Sequence, residues 1–430
     1  MNHPAAAAVV EPARALPVAQ SYDVLVVGGG IAGIAAALAA ARNGARTALV
    51  ERSFGLGGLA TLGNVTVYLP ICDGYGHQVI GGLGEELLLR SVVDLRKTQN
   101  ALYFSGPPEH WRRGAATGER AGKRRYESRF NPYAFQIELE AMAKADGVDL
   151  WYDTRLCAVL GEGDRIRHVV LENKDGRTAF ACRAVVDASG DADACYLAGE
   201  ATQSLDNNVL CGWHYELSDG VGRIHPWTRR ANNQGGKEGA EGPLFAGDKA
   251  RDVTEHVLQT RAEIRAQFAQ RRLEKPDVDI QPFGLASIPC FRMTRRLVGS
   301  FSLMEGHDHR WFDDAIGMTG HWWKKGPIYA IPYRALLGVR MKNLLAAGRC
   351  ISSDPSAWDV TRAIPTCALT GEAAGTAAAL ACAGYDGDAH ALPVAALQAR
   401  LIERGNILDA SLMEAAQPVL MPGAEAEATH

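Results

Sequence analysis

The chain has 430 residues and a mass of 46.1 kDa, which is long enough for a large hydrophobic core and about two domains. Hydrophobic residues make up 47% and charged residues 22% of the sequence, as in ordinary soluble globular proteins. A net charge of −4 provides no basic face, which argues against nucleic acid as a partner. No apolar run is long and uniform enough to span a bilayer, so we expect no membrane partner.

Nine cysteines are scattered along the chain, without a CxxC pair and without a Cys/His cluster at zinc-ligand spacing. This pattern predicts a reducing, cytoplasmic setting and no metal site, with most of the thiols buried as small apolar groups. The first twenty residues are rich in alanine and proline and lack the apolar stretch of a signal peptide. We therefore expect residues 1–20 to form a disordered tail.

The first motif joins a strand to a helix through a glycine-rich turn. Residues 22–27 form a short apolar run of the kind that is buried on both faces of a parallel sheet. The next six residues, GGGIAG, place Gly28, Gly30 and Gly33 at the spacing of a dinucleotide-binding turn. Gly28 allows the tight turn, Gly30 lets the backbone approach a pyrophosphate, and Gly33 lets the helix pack on the strand. The phosphates would lie at the helix N-terminus, where free N–H groups and the helix dipole favour negative charge.

An acidic residue closes the second predicted strand. Glu51 follows the run ARTALV, and its carboxylate can accept two hydrogen bonds from a ribose diol. An acid at this position favours NAD or FAD over NADP, whose 2′-phosphate would meet the carboxylate. Gly57 and Gly58 follow, and then the small residues Ala60 and Thr61, a composition typical of backbone that passes close to a ligand. This stretch indicates continued wrapping around an extended cofactor.

Two later segments also consist of an apolar strand that ends in small residues. Residues 184–190 follow a predicted hairpin at residues 166–183, whose turn is Asp-Gly. Residues 343–346 form another predicted strand, which stops at Gly348 before a small-residue helix that begins near Pro365. An NAD-binding unit needs one glycine turn, so the second turn favours the longer cofactor FAD.

Four motifs, in this order, resemble those of a known family. They are GGxAT at residues 57–61, DASGDAD at residues 187–193, IPYR at residues 331–334, and an AGRCIS block that continues through PTC and GxAAG at residues 348–375. The sequence resembles the FAD-dependent oxidoreductases of the glutathione-reductase-like superfamily over roughly residues 22–402. The resemblance implies FAD as the cofactor and leaves the substrate open.

The resemblance also implies how the cofactor lies. The adenosine end would rest on the first glycine turn and on Glu51, with residues 156–158 on the adenine side. Residues 189–191 would close over the phosphates, and the second glycine turn with Arg349 would contact the pyrophosphate and the ribityl chain. The helix that contains Thr366 would point its N-terminus at the isoalloxazine ring, where the dipole stabilises charge on the reduced flavin.

One residue departs from the pattern of the family. Many related flavoproteins have an acid directly after the last glycine, where it holds a ribityl hydroxyl, and this chain has Arg349. The cofactor-binding residues expected on this basis are Gly28, Gly30, Ile31, Ala32, Gly33, Glu51, Arg52, Gly57, Gly58, Leu59, Ala60, Thr61, Cys157, Ala158, Ser189, Gly190, Asp191, Gly348, Arg349 and Thr366.

The resemblance implies an α/β fold class. We expect a Rossmann-like FAD-binding domain with a parallel sheet and a small β-hairpin or meander, formed by residues 21–205 and 330–418. An α+β substrate domain with a mostly antiparallel sheet is expected at residues 206–329, where the glycine motifs disappear. Its sequence contains a predicted amphipathic helix at residues 253–273 between strand-like runs.

Four residues are candidates for catalysis. His77 lies in a loop expected beside the flavin, and it is also a candidate for covalent flavin attachment. His214 alternates with two aromatic residues on a predicted strand and should face the opposite side from them. His321 precedes two tryptophans, and Arg362 lies just ahead of the last long predicted helix, where it could face flavin or substrate. A structural role is the alternative for each histidine.

Together these features predict an FAD-dependent oxidase or dehydrogenase of a polar small molecule. Hydride would pass to flavin N5 while a pocket histidine acts as general base, and O2 or another redox partner would accept the electrons. A homo-oligomer is left open. The alternatives are fumarate-reductase-like reduction of an activated double bond, with Arg362 or Arg296 as proton donor, and flavin monooxygenation. A single GxGxxG motif argues against a separate NAD(P)H domain and a disulfide reductase.

Overall fold

The computed structural model describes residues 9–75, 77–93, 127–229 and 240–414. Within these ranges the strands are β1 (Val18–Val27), β2 (Thr47–Val50), β3 (Val67–Tyr68), β4 (Ser128–Arg129), β5 (Asp149–Trp151), β6 (Arg155–Glu162), β7 (Arg165–Asn173), β8 (Gly176–Asp187), β9 (Thr202–Ser204), β10 (Cys211–Ser218), β11 (Val221–Thr228), β12 (Ile280–Leu285), β13 (Arg295–Leu297), β14 (Ala315–Gly320), β15 (Ile328–Pro332) and β16 (Leu344–Ala346). The helices are α1 (Ile31–Arg42), α2 (Gly82–Ser91), α3 (Pro132–Ala145), α4 (Asp193–Leu197), α5 (Ala250–Glu274), α6 (Pro355–Thr361), α7 (Ile364–Gly384) and α8 (Val394–Glu403).

The boundaries of the N-terminal segment differ from the sequence-based expectation. Strand β1 begins at Val18, so residues 18–20 lie in the main sheet although a tail was expected up to residue 20. The backbone N–H of Ala179 on β8 donates to the carbonyl oxygen of Pro17 at 2.9 Å, which extends the pairing by one residue. Residues 1–8 of the expected tail and residues 415–418 of the expected FAD-binding domain lie outside the described residues.

The main sheet brings three loops to one edge. Strands β5, β2, β1 and β8 are parallel neighbours in that order, and β16 pairs in parallel with the C-terminal part of β8. Val27 at the end of β1 lies beside Asp187, and Asp187 lies beside Ala346 at the end of β16. Because parallel strands end at the same edge of a sheet, both glycine turns and the loop after β8 meet there.

The remaining strands of the main sheet form a meander. Strand β7 pairs antiparallel with the first half of β8, and β6 pairs antiparallel with β7. The turn between β7 and β8 is the Asp-Gly turn expected from the sequence, so the predicted hairpin is confirmed. This meander and the parallel strands give the first part of the expected α/β fold.

Helices α1 and α7 lie unusually close together. A Cβ atom built on Gly371 would lie 2.2 Å from the carbonyl oxygen of Ala32, and one built on Gly375 would lie 2.0 Å from that of Ala36. Only glycine permits this backbone approach. Since 371 faces 32 and 375 faces 36, the two helices run in the same direction, and both N-termini point to the edge where the glycine turns lie.

An antiparallel sheet and a long helix occupy the middle of the chain. Strand β10 lies between β11 and β12 and is antiparallel to both. Helix α5 matches the predicted helix at residues 253–273 and buries Ile264 and Phe268. The α/β fold class with a mostly antiparallel second part is therefore confirmed. In the described part of the chain no helix is long and apolar enough to cross a membrane.

Helix α7 carries a buried carboxyl group that should make stability depend on pH. Glu372 is 3% exposed, and its Oε2 accepts the backbone N–H of Leu83 at 2.7 Å. Burial raises the pKa of Glu372 from 4.5 to about 7. The unfolded chain loses this proton near pH 4.5, whereas the folded protein holds it up to about pH 7. The contribution of Glu372 to stability is thus fully present below pH 4.5 and is lost as the pH rises through 7.

We expect Glu372→Gln to gain stability relative to wild type as the pH rises. Between about pH 5 and pH 8 the free energy of unfolding of the variant should increase by up to about 3 kcal/mol relative to that of wild type. The neutral glutamine has no proton to lose, so only the wild type becomes less stable through this group. Urea unfolding at several pH values measures the difference. A difference that does not change with pH would contradict the assignment.

Candidate cofactor and substrate site

The turn between β1 and α1 has the geometry of a phosphate cradle. Gly28 has a φ of +97°, and a Cβ atom on it would lie 2.5 Å from the carbonyl oxygen of Ala188. A Cβ atom on Gly33 would lie 1.7 Å from the carbonyl oxygen of Gly28, so helix and turn touch directly. A Cβ atom on Gly30 would meet no described atom within 4 Å. Within the described residues the space in front of α1 is open and no side chain caps this helix N-terminus, which fits a bound pyrophosphate.

The carboxylate of Glu51 is held at the end of β2 by two backbone groups. Its Oε2 accepts the N–H of Gly29 at 2.7 Å, and its Oε1 accepts the N–H of Ser53 at 2.8 Å. Each oxygen keeps a further lone pair, so the group can still accept the two hydroxyls of a ribose. This arrangement fits the adenosine end of FAD.

A groove next to Glu51 is lined by Arg52, Asp153, Arg155, Glu172, Asn173 and Lys174. Arg52, expected at the cofactor, therefore lies in this groove. Cys157 and Ala158 follow Arg155 on β6, and Ala158 pairs with Val170 of β7. They are not among the residues that line the groove, although the strand that carries them begins there.

The GGxAT segment lies directly against the first glycine turn. The N–H of Gly57 donates to the carbonyl oxygen of Gly29 at 2.8 Å, and a Cβ atom on Gly58 would lie 3.1 Å from the Cα of Gly30. Both glycines have positive φ, +99° and +55°. The next residues, Leu59 and Ala60, form a helical turn with Gly58, and the Thr61 hydroxyl donates to the carbonyl oxygen of Leu56. The segment is thus brought to the open space before α1.

The loop after β8 is built on a buried carboxylate. Asp187 is fully buried, and its Oδ1 accepts both the N–H and the hydroxyl of Ser189, at 3.1 and 2.7 Å. Its Oδ2 accepts the N–H of Cys195 at 2.8 Å. Gly190 has a φ of +82°. These contacts fix the backbone of residues 189–191 at the edge of the sheet where the glycine turns lie.

Arg349 has a different environment from the one expected. Its Nε donates to the carbonyl oxygen of Gly190 at 2.5 Å, its Nη1 donates to that of Phe291 at 2.9 Å, and its Nη2 donates to Asp191 Oδ1 at 3.0 Å. All three nitrogens are engaged by protein groups. We therefore interpret Arg349 as the residue that holds the Asp191 loop, and the departure from the family pattern has a structural reason.

The second glycine turn joins the N-terminus of α7 to α1. Gly348 has a φ of +69°, and a Cβ atom on it would lie 2.6 Å from the Cβ of Ala32. Its N–H donates to the Thr370 hydroxyl at 3.0 Å. Thr366, in the first turn of α7, is hydrogen-bonded to the hydroxyl of Thr319 at 2.8 Å. In the part of the chain that the structure describes, no side chain caps the α7 N-terminus, so its free N–H groups can face a flavin.

Arg362 lies two residues before the start of α7 and is tied to the loop between β14 and β15, residues 321–327, called the tryptophan loop here because it contains Trp322 and Trp323. It forms an ion pair with Asp359 Oδ1. Asp359 Oδ2 accepts the indole N–H groups of Trp322 and Trp323 at 3.2 and 3.0 Å. The Arg362 side chain is 20% exposed, and burial lowers its pKa. Its buried Nε has no hydrogen-bond partner among the described residues. Arg362 thus retains a donor for a ligand.

His77 is paired with an aspartate. Its Nδ1 lies 2.6 Å from Asp73 Oδ2, and Asp73 Oδ1 accepts the backbone N–H groups of Tyr75 and His77 at 2.8 and 3.0 Å. The Asp73 side chain is fully buried, whereas that of His77 is 33% exposed. Asp73 therefore orients the ring and leaves the Nε2 side accessible. Sequence reasoning missed Asp73, although its spacing of four residues from His77 is a usable signal.

The His77 loop packs against the tryptophan loop and against the end of β14, the strand that is hydrogen-bonded to α7. The N–H of Gly326 donates to the carbonyl oxygen of Asp73 at 2.8 Å. A Cβ atom on Gly320 would lie 2.3 Å from the carbonyl oxygen of Cys72. Gly320 ends β14, which also carries Thr319, the partner of the first turn of α7. His77 is thereby positioned on the α7 side of the site.

His321 has the hydrogen bonds of a neutral ring. Its Nδ1 lies 3.4 and 3.3 Å from the backbone N–H groups of Trp323 and Lys324, so Nδ1 is an acceptor. Burial, and next the charge of Lys324, lowers the pKa of His321. The proton of the neutral ring is then on Nε2, which makes this residue a hydrogen-bond donor there.

His214 is not brought together with the other candidates. Its ring is 1% exposed, stacks on His225 at 5.5 Å and meets Phe268 of α5 edge-on at 5.3 Å. Burial, followed by the nearby His225, lowers the pKa of His214 to about 4. The predicted alternation is correct, since Tyr215 faces Tyr133 of α3 on the other side. His214 lies on the α5 side, so we interpret it as a core residue.

Comparison with known proteins extends these observations. The sequence matches the family described as FAD dependent oxidoreductase over residues 23–208 and 213–401. A stretch of 76 residues is 42% identical to the tRNA uridine 5-carboxymethylaminomethyl modification enzyme MnmG of Granulibacter bethesdensis, and covers 18% of this chain and 10% of that enzyme.

Among solved structures, the chain is similar to a geranylgeranyl bacteriochlorophyll reductase-like protein from Thermoplasma acidophilum, with 15% identity, a TM-score of 0.45, and coverage of 90% of this chain and 84% of that chain. It is also similar to the OxyS anhydrotetracycline hydroxylase from Streptomyces rimosus, with 14% identity, a TM-score of 0.41, and coverage of 90% and 66%.

The family match covers most of the sequence and includes every segment that forms the cradle described above. The open helix N-terminus, the ribose-accepting carboxylate and the second glycine turn are the parts that an extended dinucleotide needs. The chain belongs to the FAD dependent oxidoreductase family, and its cofactor is FAD.

Proposed function

We propose that this protein oxidises a polar small molecule by hydride transfer to flavin N5, with His77 as the general base. Bound FAD supplies the hydride acceptor. Removal of hydride from a carbon that bears an OH or NH group requires a base within hydrogen-bond reach of that proton. The observation that carries the proposal is the Asp73–His77 pair, in which a buried carboxylate orients a partly exposed imidazole.

Three features favour His77 over the other two histidines. Its ring is partly exposed, and its loop contacts the loop after β14, the strand whose Thr319 is hydrogen-bonded to the first turn of α7. His321 uses Nδ1 as an acceptor for backbone N–H groups and so presents a proton rather than a lone pair. His214 is enclosed between His225 and α5. We therefore propose that His321 orients substrate by donating a hydrogen bond and that His214 is structural.

Arg362 is proposed as the group that binds the polar part of the substrate. No group in the described ranges bonds to its buried Nε, and its position before the α7 N-terminus adds a second source of positive potential. A carboxylate or a similar anion on the substrate would pair with the Arg362 guanidinium and with the positive end of the α7 dipole. The same free donor supports the second candidate, reduction of an activated double bond with Arg362 as proton donor. We propose O2 or another redox partner as the electron acceptor in the oxidative direction.

We expect His77→Ala to slow flavin reduction by substrate by about 100-fold or more, because a positioned base contributes about that much. Purified enzyme is mixed anaerobically with alcohols, hydroxy acids and amines, and loss of the flavin absorbance is followed in a stopped-flow instrument. Asp73→Asn should give an intermediate rate, since the ring keeps its position but loses the carboxylate. His168→Ala, on the meander strand β7, is the control and should reduce like wild type.

Equal reduction rates for wild type and His77→Ala would overturn the base assignment. If no alcohol or amine reduces the flavin while reduced enzyme transfers electrons to an unsaturated acid, the reductive candidate replaces the proposal. In that case Arg362→Lys should lose the activity.

A further inference from the structure

Asp359 is a buried carboxylate whose two oxygens bind different segments of the chain. The residue is 3% exposed and lies on α6. Its Oδ1 forms the ion pair with Arg362, and its Oδ2 accepts the indole N–H groups of Trp322 and Trp323 at 3.2 and 3.0 Å. A buried carboxylate requires such donors, because water is not available to solvate its charge. Asp359 thus joins the proposed substrate-binding arginine to the tryptophan loop.

The helix that carries Asp359 is fixed against the cofactor cradle. Trp358, the preceding residue, is fully buried, and its indole N–H donates to the carbonyl oxygen of Arg349 at 2.8 Å. Arg349 directly follows the second glycine turn. At the start of α6, the Asp354 side chain accepts the backbone N–H of Ser356 at 3.0 Å. The backbone that places the Asp359 carboxylate is therefore held by contacts other than those of the carboxylate itself.

The first half of the tryptophan loop depends on this carboxylate. Trp323 is 46% exposed, so burial of its ring supports the loop only in part. The ion pair of Lys324 with Glu305 joins side chains that are 34% and 39% exposed, and such pairs contribute at most about 1 kcal/mol. Hydrogen bonds to a carboxylate are stronger than neutral ones. His321, whose Nδ1 accepts the backbone N–H groups of Trp323 and Lys324, is held through the same anchor.

Asp359 also aims the guanidinium of Arg362. The two residues are three positions apart at the end of α6, so their side chains lie on the same face of the helix. Asp359 pairs with Nη2, and none of the described residues bonds to Nε. Because the guanidinium is planar and rigid, pairing at Nη2 fixes the direction in which Nε points. An anion at Nε and the Asp359 carboxylate therefore share one guanidinium, and each alters the pairing of the other.

We infer that Asp359 is the positioning residue of the substrate site and that it links the tryptophan loop to the ligand on Arg362. An anion at Nε draws the guanidinium toward itself and shifts the Asp359 carboxylate. Since both indoles share Oδ2, the shift reaches the two tryptophans and the ring of His321 beside them. This ligand step rests on the proposed function, in which Arg362 binds the substrate, whereas the anchoring of the loop by Asp359 does not.

An NMR spectrum of the indole N–H groups tests the anchoring without any ligand. The holoenzyme is prepared with isotope-labelled tryptophan, and Trp322→Phe and Trp323→Phe assign the two signals. Arg362→Met removes the partner of Oδ1 while both indole donors remain, so both signals should shift together. Arg400→Met, which breaks an exposed ion pair with Glu403 on α8, is the matched control and should shift neither signal. Signals that stay in place in Arg362→Met would overturn the inference.

Titration of the holoenzyme with sodium acetate at constant ionic strength tests the ligand step. In wild type both indole signals should shift along one saturation curve. The double variant Trp322→Phe/Trp323→Phe removes both donors to Oδ2, so the carboxylate pairs more strongly with Arg362. Its dissociation constant for acetate, measured by calorimetry, should rise about 3-fold or more, which corresponds to about one hydrogen bond. Acetate binding that leaves both signals in place, or an unchanged dissociation constant, would overturn the link.

Failure of the proposed function gives a different result. If acetate does not bind to wild type, or binds equally well to Arg362→Met, the proposed role of Arg362 is wrong, and the ligand step is wrong with it. The signals of the ligand-free protein still decide whether Asp359 anchors the loop.

Discussion

Gly375→Ala should lower the free energy of unfolding by about 2 kcal/mol or more and should largely abolish FAD binding. The added Cβ would lie 2.0 Å from the carbonyl oxygen of Ala36, so α7 must move away from α1. Overpacking a close contact costs about 1–3 kcal/mol, and a backbone atom cannot rotate away as a side chain can. Removal of a helical glycine returns about 1 kcal/mol at most. The two helix N-termini would separate, and with them the two halves of the cradle.

The same helix provides a matched control for this prediction. Gly384 is the last residue of α7, and a Cβ atom on it would meet none of the described atoms within 4 Å. Gly384→Ala should therefore leave FAD binding unchanged and should keep or slightly raise stability. Urea unfolding and the ratio of flavin absorbance to protein absorbance measure both effects. If the two variants behave alike, the close packing of α1 and α7 does not support the cofactor site.

Arg349→Met should destabilise the protein by about 3 kcal/mol, because the carboxylate of Asp191 then keeps only the Thr294 hydroxyl at 2.8 Å and a longer ion pair with Arg52 at 4.0 Å. Arg349 is 17% exposed and Asp191 is 12% exposed, so solvent compensates the lost pair only in part. The variant also removes the donors to the carbonyl oxygens of Gly190 and Phe291. We expect the loop after β8 to loosen and FAD to dissociate more readily.

Two further variants separate the ion pair from general damage. Arg349→Met combined with Asp191→Asn should recover part of the lost stability, since the carboxylate that lost its main partner is removed as well. Arg400→Met, which breaks an ion pair with Glu403 whose two side chains are 38% and 64% exposed, should cost less than about 1 kcal/mol. Denaturant unfolding measures all of these. Equal losses for Arg349→Met and Arg400→Met would show that Arg349 does not hold the loop.

Much of the cofactor cradle could be predicted because it depends on local sequence. Gly28, Gly33 and Gly348 lie where the backbone must pass another backbone or adopt positive φ, and such positions leave a signal in the sequence itself. The Asp-Gly hairpin and the small-residue face of α7 are likewise local patterns. Short-range residue patterns predicted each of them, and the structure has each in the expected segment.

The parts that were missed depend on contacts between distant segments. Strand alternation showed that His214 faces away from its aromatic neighbours, but not which face of the sheet α5 would cover. The partners of Arg349 come from residues 190 and 291, which no spacing rule connects with it.

The most direct test of the FAD-bound site is the absorbance spectrum of the purified protein before and after acid precipitation. We predict a yellow protein with a flavin spectrum, and mass spectrometry of the supernatant or of the pellet should identify FAD and show whether it is released or covalently attached. Gly375→Ala should give far less flavin per protein than Gly384→Ala in the same experiment. A colourless wild-type protein that does not take up added FAD would contradict the assignment of the cofactor.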